Sequence, residues 1–447
     1  MDKIYTHTSN FIELHSRDLP EEYKSSILTI DNECKKYRNP RFIKYLLKPH
    51  FYSTNDWGKY KLFSSTLLSI AQKVIQSYLV DRRIQQFYDF DCLLHQFIMA
   101  AQPTQFPLPC ARIDLLFRDS QPMLCEINCD GSAGMRKDMV VNESLLSLSP
   151  YRDISRNYSL SYKNLISAQT ESYMKSHMKY VFPSVDNTST SPVIAIVNFR
   201  DNNDFQENML YVQEYKKHGI TAILADPRDL VYYNGMLYFN GQQVSFVQKE
   251  IDESDLLRHQ KDCSDFIKAI LDRSLYFIGS ALGKIIDDKA FFALLHSSLV
   301  NNILCSSERD FVSRYIPLTH LFKGNGELLK LVRKNKNKYI LKSRDTYGGV
   351  GVIAGKTVSA SQWSSIIEST WNSNYIVQEF VETDTDMYPY IYDGSLKYDL
   401  FRVTVGLFCY DGVLSGFYSR ASKEALINDY GPNDYYLANL HYDALDG

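Results

Sequence analysis

The stretch Tyr339-Ile340-Leu341-Lys342-Ser343-Arg344-Asp345-Thr346-Tyr347-Gly348-Gly349-Val350-Gly351-Val352 constrains this chain more than any other. A β-type apolar run delivers a lysine, passes through a glycine-rich turn and returns as a second β-type run. Glycines let backbone N–H groups approach an anion closely, and the lysine adds a full positive charge beside them. That is chemistry suited to a polyphosphate. It is not a P-loop, in which the lysine follows the last glycine and opens a helix. Here Lys342 precedes the glycines and both flanks read as strands. Taken alone, the pattern fits an ordinary edge hairpin equally well.

Composition excludes several classes. At 447 residues the chain should divide into two or three lobes. Its 45% hydrophobic and 23% charged residues are those of a folded globular protein, and a net charge of −3 offers no nucleic-acid or basic membrane surface. No apolar run approaches the roughly 20 residues that span a bilayer, and Met1-Asp2-Lys3-Ile4-Tyr5 lacks a signal-peptide core. The eight cysteines form no C-x-x-C pair, so reduced thiols and a cytoplasmic location are expected.

Residues 1 to about 105 read as mostly helical, with apolar spacing over Leu62 to Val80 and Asp91 to Ala101. Pro103, Pro107 and Pro109 end that region. Ala111 to Phe117 and Pro122 to Asn128 are two β-type runs about a polar turn. The polar segment Asp186 to Ser191 marks a boundary, giving regions 1–190, 191–280 and 281–447. In the middle region a strand over Val193 to Phe199, a helix over Glu207 to His218 and a strand over Thr221 to Ala225 imply a parallel pair with a right-handed crossover. Two Asn-Gly turns then predict a three-stranded meander from Leu230 to Val247, followed by a helical stretch from Asp265 to Leu295. Beyond the glycine hairpin come a helix over Ser361 to Trp371, a strand over Tyr375 to Val381, and paired strands over Phe401 to Cys409 and Val413 to Ser419.

Alternate residues of a strand share a face. With the early turn centred on Ser120, Arg112, Asp114, Glu126 and Asn128 fall on one face, and Ile113, Leu115, Cys125 and Ile127 on the other. Asp114 would then oppose Glu126, a repulsion that a cation removes. Magnesium takes one or two carboxylates plus phosphate oxygens. A solvated polar face with an Arg–carboxylate pair fits the same residues. Lys289 follows Asp287-Asp288 and precedes an apolar helix face. Gln378-Glu379-Phe380-Val381 closes a strong strand whose backbone could meet a purine edge between lobes. Arg402 and Arg420, on the last two strands read, suit carboxylate or phosphate.

The ordered set Glu126-x-Asn128, Asp288-Lys289, Lys342 before Gly348-Gly349-x-Gly351, and Gln378-Glu379-Phe380-Val381 resembles the ATP-grasp enzymes in circularly permuted order. It is most like eukaryotic-type glutathione synthetases and glutathionylspermidine-synthetase-like ligases, from about Ala111 to Ser422. The resemblance implies an α/β (α+β) ATP-grasp fold with an inserted Rossmann-like substrate domain. It implies that Lys289 and Lys342 hold ATP phosphates under a mobile loop of Gly348, Gly349 and Gly351. Glu379, Phe380 and Val381 would meet the adenine, and Glu126 and Asn128 would bind magnesium, with Asp114 as ligand or close behind. Arg112 would face the reacting phosphoryl or acyl group, and Arg420 would approach a substrate or phosphate anion. Ser132, in Asp130-Gly131-Ser132-Ala133-Gly134, would border the substrate, as would Arg402. Two departures stand out: where a glutathione synthetase has a metal-binding glutamate after the loop lysine, this chain has Thr346 preceded by Asp345, and Phe246-Val247-Gln248-Lys249 lacks an expected arginine.

The expected activity is an ATP- and magnesium-dependent carboxylate–amine ligase acting on small molecules such as amino acids or peptides, with oligomers allowed. The alternatives are transfer of an acid to a carrier-protein thiol, and a nucleotide-binding protein without turnover.

Overall fold

The computed structural model describes residues 3–36, 43–101, 106–181, 192–202, 205–346, 348–427 and 431–445. Pro103, the boundary segment Asp186 to Ser191, and Tyr347 of the glycine hairpin lie outside them.

Two antiparallel sheets frame the molecule. The larger carries, in order, Asp434–Leu437, Val413–Ser422, Ser395–Tyr410, Cys110–Arg118 and Gln121–Asn128, and Thr385–Tyr392 pairs with the first half of Ser395–Tyr410. Strands from early and late in the chain thus share one sheet. The smaller runs Thr319–Leu321, Tyr375–Glu379, Tyr339–Ser343 and Val352–Ala354. It packs Leu341 and Val377 on Trp363 and Ile367 of the helix Ala360–Thr370.

The middle region is a parallel sheet in the order Tyr276–Ile278, Phe246–Lys249, Val193–Val197 and Thr221–Ala225, with the helix Met209–Lys217 in the crossover. Val193 to Val197 are all buried, as expected of a central parallel strand. Two sequence expectations need correction here. The meander is Leu230–Tyr233, Met236–Phe239 and Gln242–Val244; Phe246 and Val247 leave it to join the parallel sheet. The stretch Asp265 to Leu295 is broken by the strand Tyr276–Ile278, because its apolar run completes the sheet edge beside Phe246–Lys249.

The N-terminal helices include Thr54–Val80, which starts at Ser53 with a reciprocal cap: the Asp56 N–H donates to Ser53 Oγ and the Ser53 N–H to Asp56 Oδ2, both at 3.2 Å. A third small sheet joins the ends of the chain: His50–Tyr52 pairs in parallel with Asn439–Ala444, which pairs with Tyr158–Ser161. Among the described residues no helix is long and apolar enough to cross a membrane. All eight cysteines are free thiols.

Candidate functional site

The early hairpin brings the predicted charged residues together by a route its sequence did not disclose. Its turn is the two residues Asp119 and Ser120, both with positive φ, so Arg118 pairs with Gln121 and Leu115 with Leu124. That register alone would put Asp114 opposite Cys125. A bulge at Cys125 restores the pairs Asp114 with Glu126 and Arg112 with Asn128. Cys125 is therefore not a member of the apolar face with Ile113, Leu115 and Ile127; it lines the cleft.

Across the cleft, Lys342 extends from the smaller sheet and donates to the Cys125 carbonyl at 3.0 Å. Lys289 precedes the short helix Ala290–Leu295 and donates to the Thr346 carbonyl at 2.9 Å. A buried bridge fixes the backbone of both lysines. Arg344 Nε and Nη2 donate to Asp288 at 2.9 and 3.0 Å, and Asp288 Oδ1 also accepts the Ala290 N–H.

Behind this surface, Asp114 is fully buried and accepts from Arg112 at 2.8 and 3.0 Å and from Arg420 at 2.7 Å. Gly406 stands opposite it on the neighbouring strand; a Cβ there would come within 2.8 Å of Asp114 Oδ1. Burial raises the Glu126 carboxyl, but Lys289, Arg420, Lys342 and Arg112 outweigh it and hold the group down at about 2.

One cavity of about 350 Å³ joins these elements. Arg112, Glu126, Asn128, Ser132, Lys289, Lys342, Gly348, Gly349, Gln378, Glu379, Phe380, Val381 and Arg420 all line it. Three expected residues do not. Asp114 sits behind the arginines. Gly351 packs inside the hairpin, where a Cβ would meet Ser343 at 2.8 Å and its φ of +69° already disfavours other residues. Arg402 donates to the Lys423 carbonyl and pairs with Glu382. Ser132 lines the cavity, but its hydroxyl is turned onto the Cys129 carbonyl.

The segment expected to meet adenine has part of its backbone occupied. The Glu379 N–H donates to Leu318 O and the Phe380 N–H to Lys338 O, both at 2.8 Å. Among the described residues no protein acceptor takes the Val381 N–H. Gln378 is held by Thr319 at 2.9 Å.

A metal held by protein alone does not fit: among the described residues no group of three or more His, Cys, Asp or Glu side chains could hold one. Glu126 and Asn128 do fit magnesium that takes its other ligands from phosphate and water. Asp345, the acid next to the departing Thr346, borders a small recess with Glu126, Asn128 and Asp287.

The opposite wall of the cavity was missed. It includes Asn198, Asn208, Tyr211, Glu250 and Asp252 from the middle region. A signal existed: Asn198 and Glu250 directly follow the parallel strands Val193–Val197 and Phe246–Lys249, and ligands bind beyond the carboxyl ends of such strands.

Neither a family model nor a curated protein sequence matches the chain. Among solved structures it is similar to a glutathione synthetase-like effector from Globodera pallida, with a TM-score of 0.56 at 9% identity, covering 95% of this chain and 97% of that one. A protein from Methylobacillus flagellatus provisionally designated a gamma-glutamylcysteine synthetase aligns with a TM-score of 0.43 at 11% identity, covering 88% of this chain and 89% of that one. The chain has the glutathione synthetase-like ATP-grasp fold, with two antiparallel sheets facing each other across the cavity.

Proposed function

We propose that the protein is an ATP-dependent carboxylate–amine ligase that works through an acyl phosphate. The observation that carries this reading is the single cavity, in which two buried lysines, a glycine hairpin, Glu126 with Asn128, and Arg420 converge. Lys289 and Lys342 neutralise the phosphates, the Gly348-Gly349 turn covers them, and the Phe380-Val381 segment meets the adenine. Glu126 and Asn128 hold magnesium, which when bound neutralises phosphate charge. The substrate carboxylate attacks the γ-phosphorus, ADP leaves, and a nucleophile then displaces phosphate from the acyl carbon.

Arg112 and Arg420 face the transferring group, and Asp114 orients both, which gives it a positioning role in place of a metal contact. No side-chain nucleophile is needed, because alignment and charge neutralisation lower the barrier. The permuted chain order is supported by the pairing of Cys110–Arg118 with Ser395–Tyr410. The substrate unit is region 191–280, and a cytoplasmic location matches ATP and reduced thiols.

The test is product analysis across a panel of amino acids and short peptides. ADP and phosphate should appear in step with an amide, and added hydroxylamine should divert the activated acid to a hydroxamate. AMP and pyrophosphate would mean adenylation and overturn the reading.

A further inference from the structure

The cavity has two ends of opposite charge. Lys289, Lys342 and Arg420 form one. At the other, most acids are already neutralised: Glu207 pairs with Arg136, Asp252 with Lys284, and Asp255 with Arg258. Glu250 differs. It is 9% exposed and lines the cavity just past the strand Phe246–Lys249. Among the described residues no cation lies within ion-pair distance of it, because the neighbouring Lys249 ammonium is engaged by Glu253 at 2.7 Å and by the Ile251 carbonyl at 2.8 Å.

Its setting is built. The Tyr215 hydroxyl donates to Gln248 Oε1 at 2.8 Å, which fixes that amide so that its Nε2 donates to Glu250 Oε1 at 2.6 Å. Among the described residues Gln248 Nε2 is the one hydrogen-bond donor to the Glu250 carboxylate. On the same lining, Asn208 is buried and its Nδ2 has no partner among the described residues. A buried carboxylate without a counter-ion is costly unless a ligand supplies one. An ammonium group supplies it; a neutral thiol does not.

We propose that Glu250 binds the incoming acceptor as an ammonium ion and takes its proton, so that the acceptor is a protonated amine and not a carrier-protein thiol. This rests on the ligase reading above. The ammonium N–H bond breaks as its proton passes to Glu250, and the freed nitrogen lone pair attacks the acyl carbon. The carbon–oxygen bond to phosphate breaks, and phosphate leaves with that electron pair. The second nitrogen proton goes to the departing phosphate.

Burial pushes the Glu250 carboxyl up to about 7 against the pull of Gln248 and Lys249, a range in which it can both accept and release a proton. The other groups that sense its charge are Tyr211 and Tyr215 on the crossover helix, Tyr173, Tyr410, Cys110 and Asp130. Burial raises each of these as well, which keeps the tyrosines and Cys110 neutral around the carboxylate.

The experiment compares two acceptors on Glu250→Gln. Glycinamide enters neutral solution mostly as an ammonium ion and has no carboxylate to compete as the acid. Hydroxylamine is mostly unprotonated there and needs no base. Glu250→Gln should lose about 100-fold or more of glycinamide transfer and keep hydroxamate formation within a few fold. In the wild type, kcat with glycinamide should fall as pH drops through about 7, a limb absent from the variant. Glu250→Asp, which keeps the charge at shorter reach, should recover part of the rate, and it carries the same comparison if the Gln variant fails to fold. Equal loss with both acceptors, or full glycinamide transfer by Glu250→Gln, overturns the assignment. Absence of hydroxamate from the wild type with every acid of the panel overturns the ligase reading itself.

Discussion

Asp114 and Glu126 oppose each other across one ladder, yet their surroundings give them different work. Asp114 is closed in by two guanidinium groups, so removing its charge takes the counter-ion from the buried Arg112 and weakens the hold on the half-buried Arg420. Breaking a buried pair in this way costs about 3–5 kcal/mol. Asp114→Asn is therefore expected to lose that much stability in urea unfolding without any nucleotide or metal present; an unchanged midpoint would return Asp114 to the role of metal ligand. Glu126 instead lines the cavity among four cations. Its folded pKa of about 2 lies below the ordinary 4.5, so its contribution to stability is complete above pH 4.5 and is lost as pH falls toward 2. Glu126→Gln should remove that acid limb from the stability profile and abolish ADP release while the far-ultraviolet dichroism stays native. Wild-type turnover in the folded variant would sink its assignment to magnesium.

At the scale of elements, the glycine hairpin differs from the strand that leads into it. Lys342 and Ser343 are buried, whereas Gly348, Gly349 and Val350 are exposed. The turn makes few contacts, and Thr346 Oγ1 to Val350 O at 2.7 Å is one that ties it across. Such a segment sits at the low end of local stability and is suited to a lid. Amide exchange from Asp345 to Gly355 should slow severalfold when ATP and magnesium are added, with little change in Tyr339–Ser343. Equal protection with and without nucleotide would count against a phosphate lid. The bulge in the Gln121–Asn128 strand acts on the same cleft from the other side, because the extra residue presents the Cys125 carbonyl that receives Lys342.

Across the whole molecule, the two ends of the chain are locked together through Asn439. Its side chain donates to Asp138 at 2.7 Å and accepts from Ser419 at 2.6 Å, and its backbone N–H donates to Asn142 at 2.7 Å. His50, from the N-terminal region, lies 3.2 Å from the same oxygen. Asn439, Asp138 and Ser419 are buried, so Asn439→Ala leaves the Ser419 hydroxyl without its acceptor and Asp138 with Asn142 but not Asn439 as donor. A loss of about 1–3 kcal/mol is expected from the buried hydroxyl left unsatisfied. Thermal unfolding should show a lowered midpoint, with the N-terminal helices and the large sheet still melting together. Separate transitions would mean that the C-terminal strand does not couple the two.

The glycine hairpin after Lys342, the Glu126-x-Asn128 pair and the β-α-β order at Val193 were legible in the chain, because each is written in local spacing: period two in a strand, glycine where φ must be positive, alternation of strand and helix. Taken in order, those patterns carry the resemblance that implied the fold class and the candidate site residues. Contacts between distant segments were not legible. The Cys125 bulge depends on how a two-residue turn and the next strand settle their register. Arg402 is drawn from the cavity by Glu382 and Lys423, and Glu250 reaches it only because a parallel strand ends there. The strand Asn439–Ala444 found partners that lie far away in sequence, His50–Tyr52 and Tyr158–Ser161. Spacing along a chain fixes which side chains share a face; which face meets which is decided by burial and pairing across the folded whole.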